Sequence, residues 1–174
     1  RRQRQMCIRD RIDMYLEGIN NTVIVKDMEA LCESYLYYPV EVMDISGKEV
    51  LKSNKKYYTV DPGILNCILP KQSYDLGFMI ENIVNIELLR RRYIVNIGRS
   101  GLAEVDFIAK RNDVYTYIQV TASLVDENTF NREISPLKLI EDNYEKIILT
   151  LDRYTLGNYN GIKVINIIDW LLEE

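Results

Sequence analysis

The sequence predicts an α/β fold, a small mixed sheet flanked by helices. Three observations point there. A helix-forming stretch runs from about Tyr74 to Arg92, three short strand-like runs follow it, and the apolar run KIILTLD at 146–152 comes after a second helical stretch. In the first helix Leu76, Met79, Ile80, Ile83, Ile86 and Leu89 fall on one stripe. Arg90, Arg91 and Arg92 close it, where cations suit the helix dipole. The three strands are 93–98, 103–110 and 114–121, separated by Arg99-Ser100-Gly101 and Arg111-Asn112-Asp113, so they predict a meander. The second helix spans about 126–140. The run at 146–152 is expected to return parallel to the meander, as a crossover through a helix allows. KVINI at 163–167 is a further strand, and IDWLLEE a closing helix.

The N-terminal part predicts a smaller helical and strand appendage. IDMYLEGI at 12–19 suits a short helix interrupted by Asn20-Asn21. TVIVKD at 22–27 suits a strand or the start of the next helix. EALCESYLYY at 29–38 places Leu31, Tyr35 and Tyr38 at helical spacing, with Pro39 ending the helix. VEVMDI at 40–45 alternates like a strand and closes at Ser46-Gly47; YYTV at 57–60 is another. Asp61 is placed to cap a helix that starts at Pro62, where the missing N–H is harmless.

Composition excludes several chemistries. There is no histidine, which removes Ser-His-Asp and Cys-His catalysis and His-ligated zinc. Cys7, Cys32 and Cys67 form no C-x-x-C pair, so a reducing compartment is expected. Neither GxxxxGK[ST] nor GxGxxG occurs; Ser46-Gly47-Lys48 reads as an ordinary turn. No apolar run reaches the roughly 18 residues a membrane helix needs, and a cytoplasmic location with no membrane partner is expected. Residues 1–11, RRQRQMCIRDR, carry five Arg and one Asp and resemble a translated adapter scar, expected to pack against nothing. The rest of the chain carries −8, poor material for gripping DNA over a wide surface.

Acidic residues carry the candidate chemistry. Strand alternation points Glu104, Asp106 and Ile108 one way and Ala103, Val105, Phe107 and Ala109 the other. Tyr115, Tyr117, Gln119 and Thr121 share a face of the next strand, so Asp106 and Gln119 can meet across neighbouring strands. A carboxylate beside a second oxygen ligand is how a Mg²⁺ site for phosphodiester cleavage is built. From spacing alone, the solvated face of a two-sided hairpin is the favoured reading of Glu104 and Asp106.

At these residues a resemblance emerges. YYTVDPGI at 57–64, IENIVNIELLRRRY at 80–93, EVDFIA at 104–109, YIQVTASL at 117–124, REISPL at 132–137 and DNYEKIILTLD at 142–152 resemble the C-terminal domain of unknown function carried by prokaryotic AAA-type ATPases. That domain is of the restriction-endonuclease-like, PD-(D/E)XK type, with a helix–three-stranded meander–helix–strand core. The resemblance implies four segments: the scar at 1–11, a remnant of the ATPase module's end at 12–28, a connection resembling the end of a winged-helix region at 29–70, and the nuclease-like domain at 71–174. It also implies that the ATP-binding module is missing, because the segments resembling the ATPase end and the winged-helix end are joined directly.

Carried over residue by residue, the family's helix acid falls on Glu81 and its second-strand aspartate on Asp106. Its (D/E)-X-K falls on Gln119-Val120-Thr121. The acid is an amide here and the lysine a threonine, so no lysine amine is expected to complete the cluster. Asp106 and Gln119 would be the metal ligands, and Mg²⁺ the cofactor if the site works. Arg90, Arg91 and Arg132 are the cations placed near any bound polyanion, possible DNA included. The leading reading is a non-catalytic accessory or recognition domain of a AAA-type ATPase. A Mg²⁺-dependent DNA endonuclease using Glu81, Asp106, Gln119 and Thr121, and a pure protein-interaction module, are the alternatives.

Overall fold

A computed structural model of the chain describes residues 21–52, 55–68, 75–101 and 103–173. The helix expected at 12–19 and the arginine-rich 1–11 lie outside the described residues. The elements run α1 (Asn21–Glu33), β1 (Tyr37–Asp44), β2 (Lys56–Thr59), α2 (Pro62–Ile68), α3 (Leu76–Arg90), β3 (Ile94–Ser100), β4 (Ala103–Arg111), β5 (Val114–Thr121), α4 (Glu127–Lys138), β6 (Glu145–Thr150), β7 (Gly157–Tyr159), β8 (Ile162–Asn166) and α5 (Ile167–Leu172).

Eight strands form one mixed sheet in the order β2-β1-β3-β4-β5-β6-β8-β7. The meander β3-β4-β5 is antiparallel, and β6 returns through α4 to pair parallel with β5. β8 adds parallel to β6, and β1 adds parallel to β3. The stretch 29–70, expected to be a connection, thus supplies two strands to the sheet. Both edges are short, with four residues in β2 and three in β7, which limits the unpaired backbone offered to other chains.

One helix ends earlier than its periodicity suggests. α1 stops at Glu33, and Tyr37 and Tyr38 belong to β1. The stop is a left-handed turn at Tyr35, φ 60°, where Tyr35 N donates to Cys32 O and Leu36 N to Leu31 O, both at 3.0 Å. No glycine marks it. Pro39 sits inside β1, opposite Tyr57 of β2 and before the β3 pairing begins at Glu41, so its missing N–H breaks no ladder on the β3 side.

Turn chemistry matches the sequence more closely. Asn112 and Asp113, φ 52° and 61°, make the two-residue link between β4 and β5. Asp61 caps α2 by accepting from Gly63 N at 2.7 Å. Asp126 caps α4 by accepting from Thr129 N at 2.8 Å. Asp126→Ala is expected to cost about 1 kcal/mol, a drop of roughly 2–4 °C in Tm for a chain of this size, read by thermal denaturation.

Helices cover both faces. Ile80, Val84 and Leu88 of α3 and Ile167 and Trp170 of α5 pack with Phe107, Ala109, Ile118, Val120 and Leu149 on one face. Ile134 and Leu137 of α4 pack with Val105, Ile108, Tyr117 and Ile148 on the other. The expected α3 stripe is out of phase: Leu76 and Ile83 are exposed, while Asn82, Asn85 and Glu87 are buried. Partners bring two of these polar groups inward. Asn82 accepts from Thr59 N and donates to Thr59 O, both at 2.8 Å, stitching α3 to β2. Glu87 takes Arg90 and Arg91.

The face assignment of β4 also changes along the strand. Asn96 pairs with Ile108 and Gly98 with Val105, so β4 carries one more residue than β3 over this interval, a bulge at Asp106-Phe107. Val105 and Ile108 therefore share a face, and Phe107 and Ala109 take the other, contrary to simple alternation. Gly98 is opposite the bulge. A Cβ there would lie 3.1 Å from Ile108 Cγ1, Ile45 Cδ1 and Val105 Cβ, so the bulge closes over a position with no side chain.

Candidate functional site

The β4–β5 ladder ends at Phe107 and Ile118, and side chains replace the backbone bonds beyond it. Val120 N donates to Asp106 Oδ2 at 2.8 Å, and Asp106 N donates to the Gln119 side-chain oxygen at 3.3 Å. Asp106 and Gln119 thus meet on neighbouring strands because the bulge opens the ladder there. Gln119 Nε2 donates to Glu133 Oε2 of α4 at 2.8 Å, in a buried contact. Arg132 closes this chain, with its guanidinium 3.0 Å from Glu133 Oε1.

Glu81 approaches from α3. Its Oε1 accepts from the Lys56 ammonium and from the Tyr58 hydroxyl, both on β2. A lysine amine therefore joins the cluster, against the sequence expectation. It comes from neither the third meander strand nor Lys110 or Lys138: Lys110 pairs with Asp113 at 2.9 Å, and Lys138 is exposed. Lys56 and Tyr58 are two residues apart on one strand and share a face, the one signal in the sequence that could have found them.

Electrostatics follow from burial with one cation among several acids. Burial, with the charge of Glu81 added, raises the Asp106 pKa well above the usual carboxylate range, against the pull of Lys56 and the Val120 N–H. Burial works against the charge on Lys56, but Glu81, Asp106 and Glu104 outweigh it and raise its pKa. The Tyr58 hydroxyl is pushed up by burial and by Glu81, and stays a donor. Asn85, one turn beyond Glu81 on α3, is fully buried, and neither its amide nitrogen nor its oxygen is bonded among the described residues.

Three of the oxygens that could ligate a divalent cation here are already hydrogen-bonded. Glu81 Oε1 is held by an ammonium and a phenol, Asp106 Oδ2 by a backbone N–H, and the Gln119 oxygen by another. Lys56 already supplies positive charge. Among the described residues, no group of three or more Asp, Glu or Cys side chains stands where it could hold a metal ion.

No protein-family profile matches the chain. It is similar to a protein of Haemophilus influenzae described only as an uncharacterized protein, 41% identical over 154 residues. The match takes in 88% of this chain and 38% of that protein, so the chain spans well under half the length of the curated relative it matches.

The remaining candidate residues are placed differently from Asp106 and Gln119. Thr121 is buried and donates to Ser123 O at 3.2 Å, a local turn bond. Arg90 and Arg91 sit nine and ten residues along α3 from Glu81, about 14–15 Å at the helical rise. Arg90 makes a two-point contact with Glu87, 2.7 Å at each bond. Arg91 is committed to Glu87, to Trp170 O at 2.6 Å and to the face of the Trp170 ring at 4.4 Å. It fastens α5 to α3 and lines a cleft of about 340 Å³ with Thr116, Ile147 and Lys163. Of the three arginines only Arg132 joins the Asp106 network. Among the described residues no helix is long and apolar enough to cross a membrane.

Proposed function

We propose that this chain is a non-catalytic domain of the restriction-endonuclease-like type, acting as an accessory or recognition module of a prokaryotic AAA-type ATPase. The observation that carries the reading is Gln119, an amide where the nuclease-like pattern has an acid, with its oxygen taken by Asp106 N–H and its nitrogen by Glu133. An uncharged amide in place of an acid lowers the ligand charge offered to a divalent ion, and ligand charge sets much of Mg²⁺ affinity. The helix–meander–helix–strand order, with Asp106 and Gln119 where the ladder opens, supports the nuclease-like fold. The greater length of the Haemophilus relative leaves room in that protein for a further module.

The test is cleavage of supercoiled plasmid in Mg²⁺ and in Mn²⁺, with metal binding followed by calorimetry. The unmodified chain is expected neither to nick the plasmid nor to bind metal measurably. Gln119→Glu combined with Thr121→Lys restores the family pattern, and metal-dependent nicking by that variant alone supports a decayed nuclease. Cleavage by the unmodified chain, abolished by Asp106→Ala, overturns the reading in favour of the endonuclease. If neither protein cuts the plasmid or binds metal, the protein-interaction module takes its place.

A further inference from the structure

A second constellation, centred on Lys48, lies on the α4 face. Lys48, in the turn after β1, extends its ammonium among three tyrosines, within cation–π distance of the Tyr115 and Tyr144 rings and against the Tyr117 hydroxyl. The nitrogen is 4.9 Å from the Tyr115 centroid, 4.8 Å from Tyr117 and 5.5 Å from Tyr144. It also donates to Asp142 Oδ2 at 2.8 Å and is hydrogen-bonded to the Tyr117 hydroxyl, which itself donates to Asp142 Oδ2 at 2.5 Å. The Tyr115 and Tyr144 rings meet edge to face at 5.2 Å, which fixes two walls. Two aromatic rings, a phenol oxygen and a carboxylate around one nitrogen are elements by which proteins hold an ammonium group.

Two features distinguish this arrangement from an ordinary ion pair. Tyr144 is 37% exposed and the Asp142 side chain 29%, so the cage opens to solvent. The occupant is on a surface turn in which Ser46, Gly47 and Glu49 are exposed. Two other cations border the cage. Lys146 donates to Asp142 O at 2.6 Å, and Lys110, paired with Asp113, lies 5.3 Å from the Tyr115 ring.

We propose that Tyr115, Tyr117, Tyr144 and Asp142 form a binding site for an alkylammonium group that keeps at least one N–H, and that Lys48 is its tethered competitor. The N–H is required because Asp142 accepts from the occupant; the rings select the charge and the alkyl surface. A tethered competitor acts at an effective concentration in the millimolar range, so the intact chain binds an external amine weakly and a chain lacking the Lys48 amine binds it better.

The probe is n-butylammonium, the lysine side chain without its backbone, followed through the tyrosine ring resonances by NMR. Lys48→Ala is expected to bind it at least about tenfold more tightly than the unmodified chain. Butyltrimethylammonium, which has no N–H for Asp142, is expected to bind more weakly than butylammonium, and adding Tyr144→Ala to Lys48→Ala is expected to abolish saturation. If Lys48→Ala does not fold, Lys48→Gln, which keeps most of the stem and removes the charge, takes its place in the same titration. A folded variant without saturable binding, equal affinity in variant and unmodified chain, or binding indifferent to Tyr144→Ala would each overturn the proposal.

Discussion

Replacing Lys56 by methionine is expected to destabilise the domain by about 3 kcal/mol at neutral pH. The stem is retained, so little packing is lost. What is lost is the cation among Glu81, Asp106 and Glu104, the three acids whose charges raise the lysine pKa. Removing one partner of an enclosed pair leaves the other charge uncompensated, which costs more than the pair itself contributes. Because the lysine pKa is raised, this contribution is complete below the ordinary value of about 10.4 and disappears only as pH rises through the folded value. A urea titration at pH 7 measures it. Adding Glu81→Gln to Lys56→Met should recover most of the loss, since the Tyr58 hydroxyl can still donate to the amide oxygen. A single-variant cost below about 1 kcal/mol, the range of solvent-exposed pairs, would show that Lys56 is a surface charge and not the centre of the cluster.

Asp106→Asn is expected to act in the opposite direction, stabilising the domain at pH 7, because folding raises the pKa of the carboxyl it replaces. The amide oxygen can still accept from Val120 N, so the bond that replaces the ladder survives. The unfavourable part goes: a carboxylate kept from water beside Glu81. The sign of the pH dependence follows from the raised pKa. Between about pH 3.9, where an unfolded aspartate titrates, and the higher folded value, the native chain holds a proton that the unfolded chain has released. Stability therefore falls as pH rises through that window, by up to about 1.4 kcal/mol per unit. The asparagine variant lacks this slope. Its advantage should shrink on acidification and vanish below about pH 3.9. Denaturation curves at intervals from pH 3.5 to 8 decide the matter, and a variant less stable than the parent at pH 7 would show Asp106 to be favourably charged in place.

The same residues show how far sequence alone reaches. The meander, the parallel return of β6 and the cap at Asp61 were legible because each rests on local chemistry: alternation, turn residues, a capping oxygen before a proline. Asp106 and Gln119 were expected to be neighbours by alternation, but they meet because the bulge opens the ladder, and through the Asp106 backbone N–H rather than its carboxylate. Tyr37 and Tyr38 were misplaced because their spacing suits a helix, and the left-handed stop at Tyr35 carries no glycine to announce it. The α3 stripe was misphased because Asn82 and Glu87 are buried through partners elsewhere in the chain, which no hydrophobic pattern records. Lys56 was missed on the same ground: its partner Glu81 is 25 residues away, and only the sheet order brings β2 beneath α3. The β4 faces were assigned by alternation, which an inserted residue reverses.

That inserted residue ties two distant positions into one heritable unit. Asp106 reaches the open end of the ladder only because β4 has a residue to spare, and that spare residue is accommodated only because position 98 is a glycine. A side chain acquired at 98, or a deletion within 105–108, would each be tolerated poorly alone, while the two together restore a regular pair of strands and lose the opening. Descendants of this sequence are therefore expected to keep both features or neither, and drift at Gly98 would mark lineages in which the Asp106 arrangement is no longer maintained.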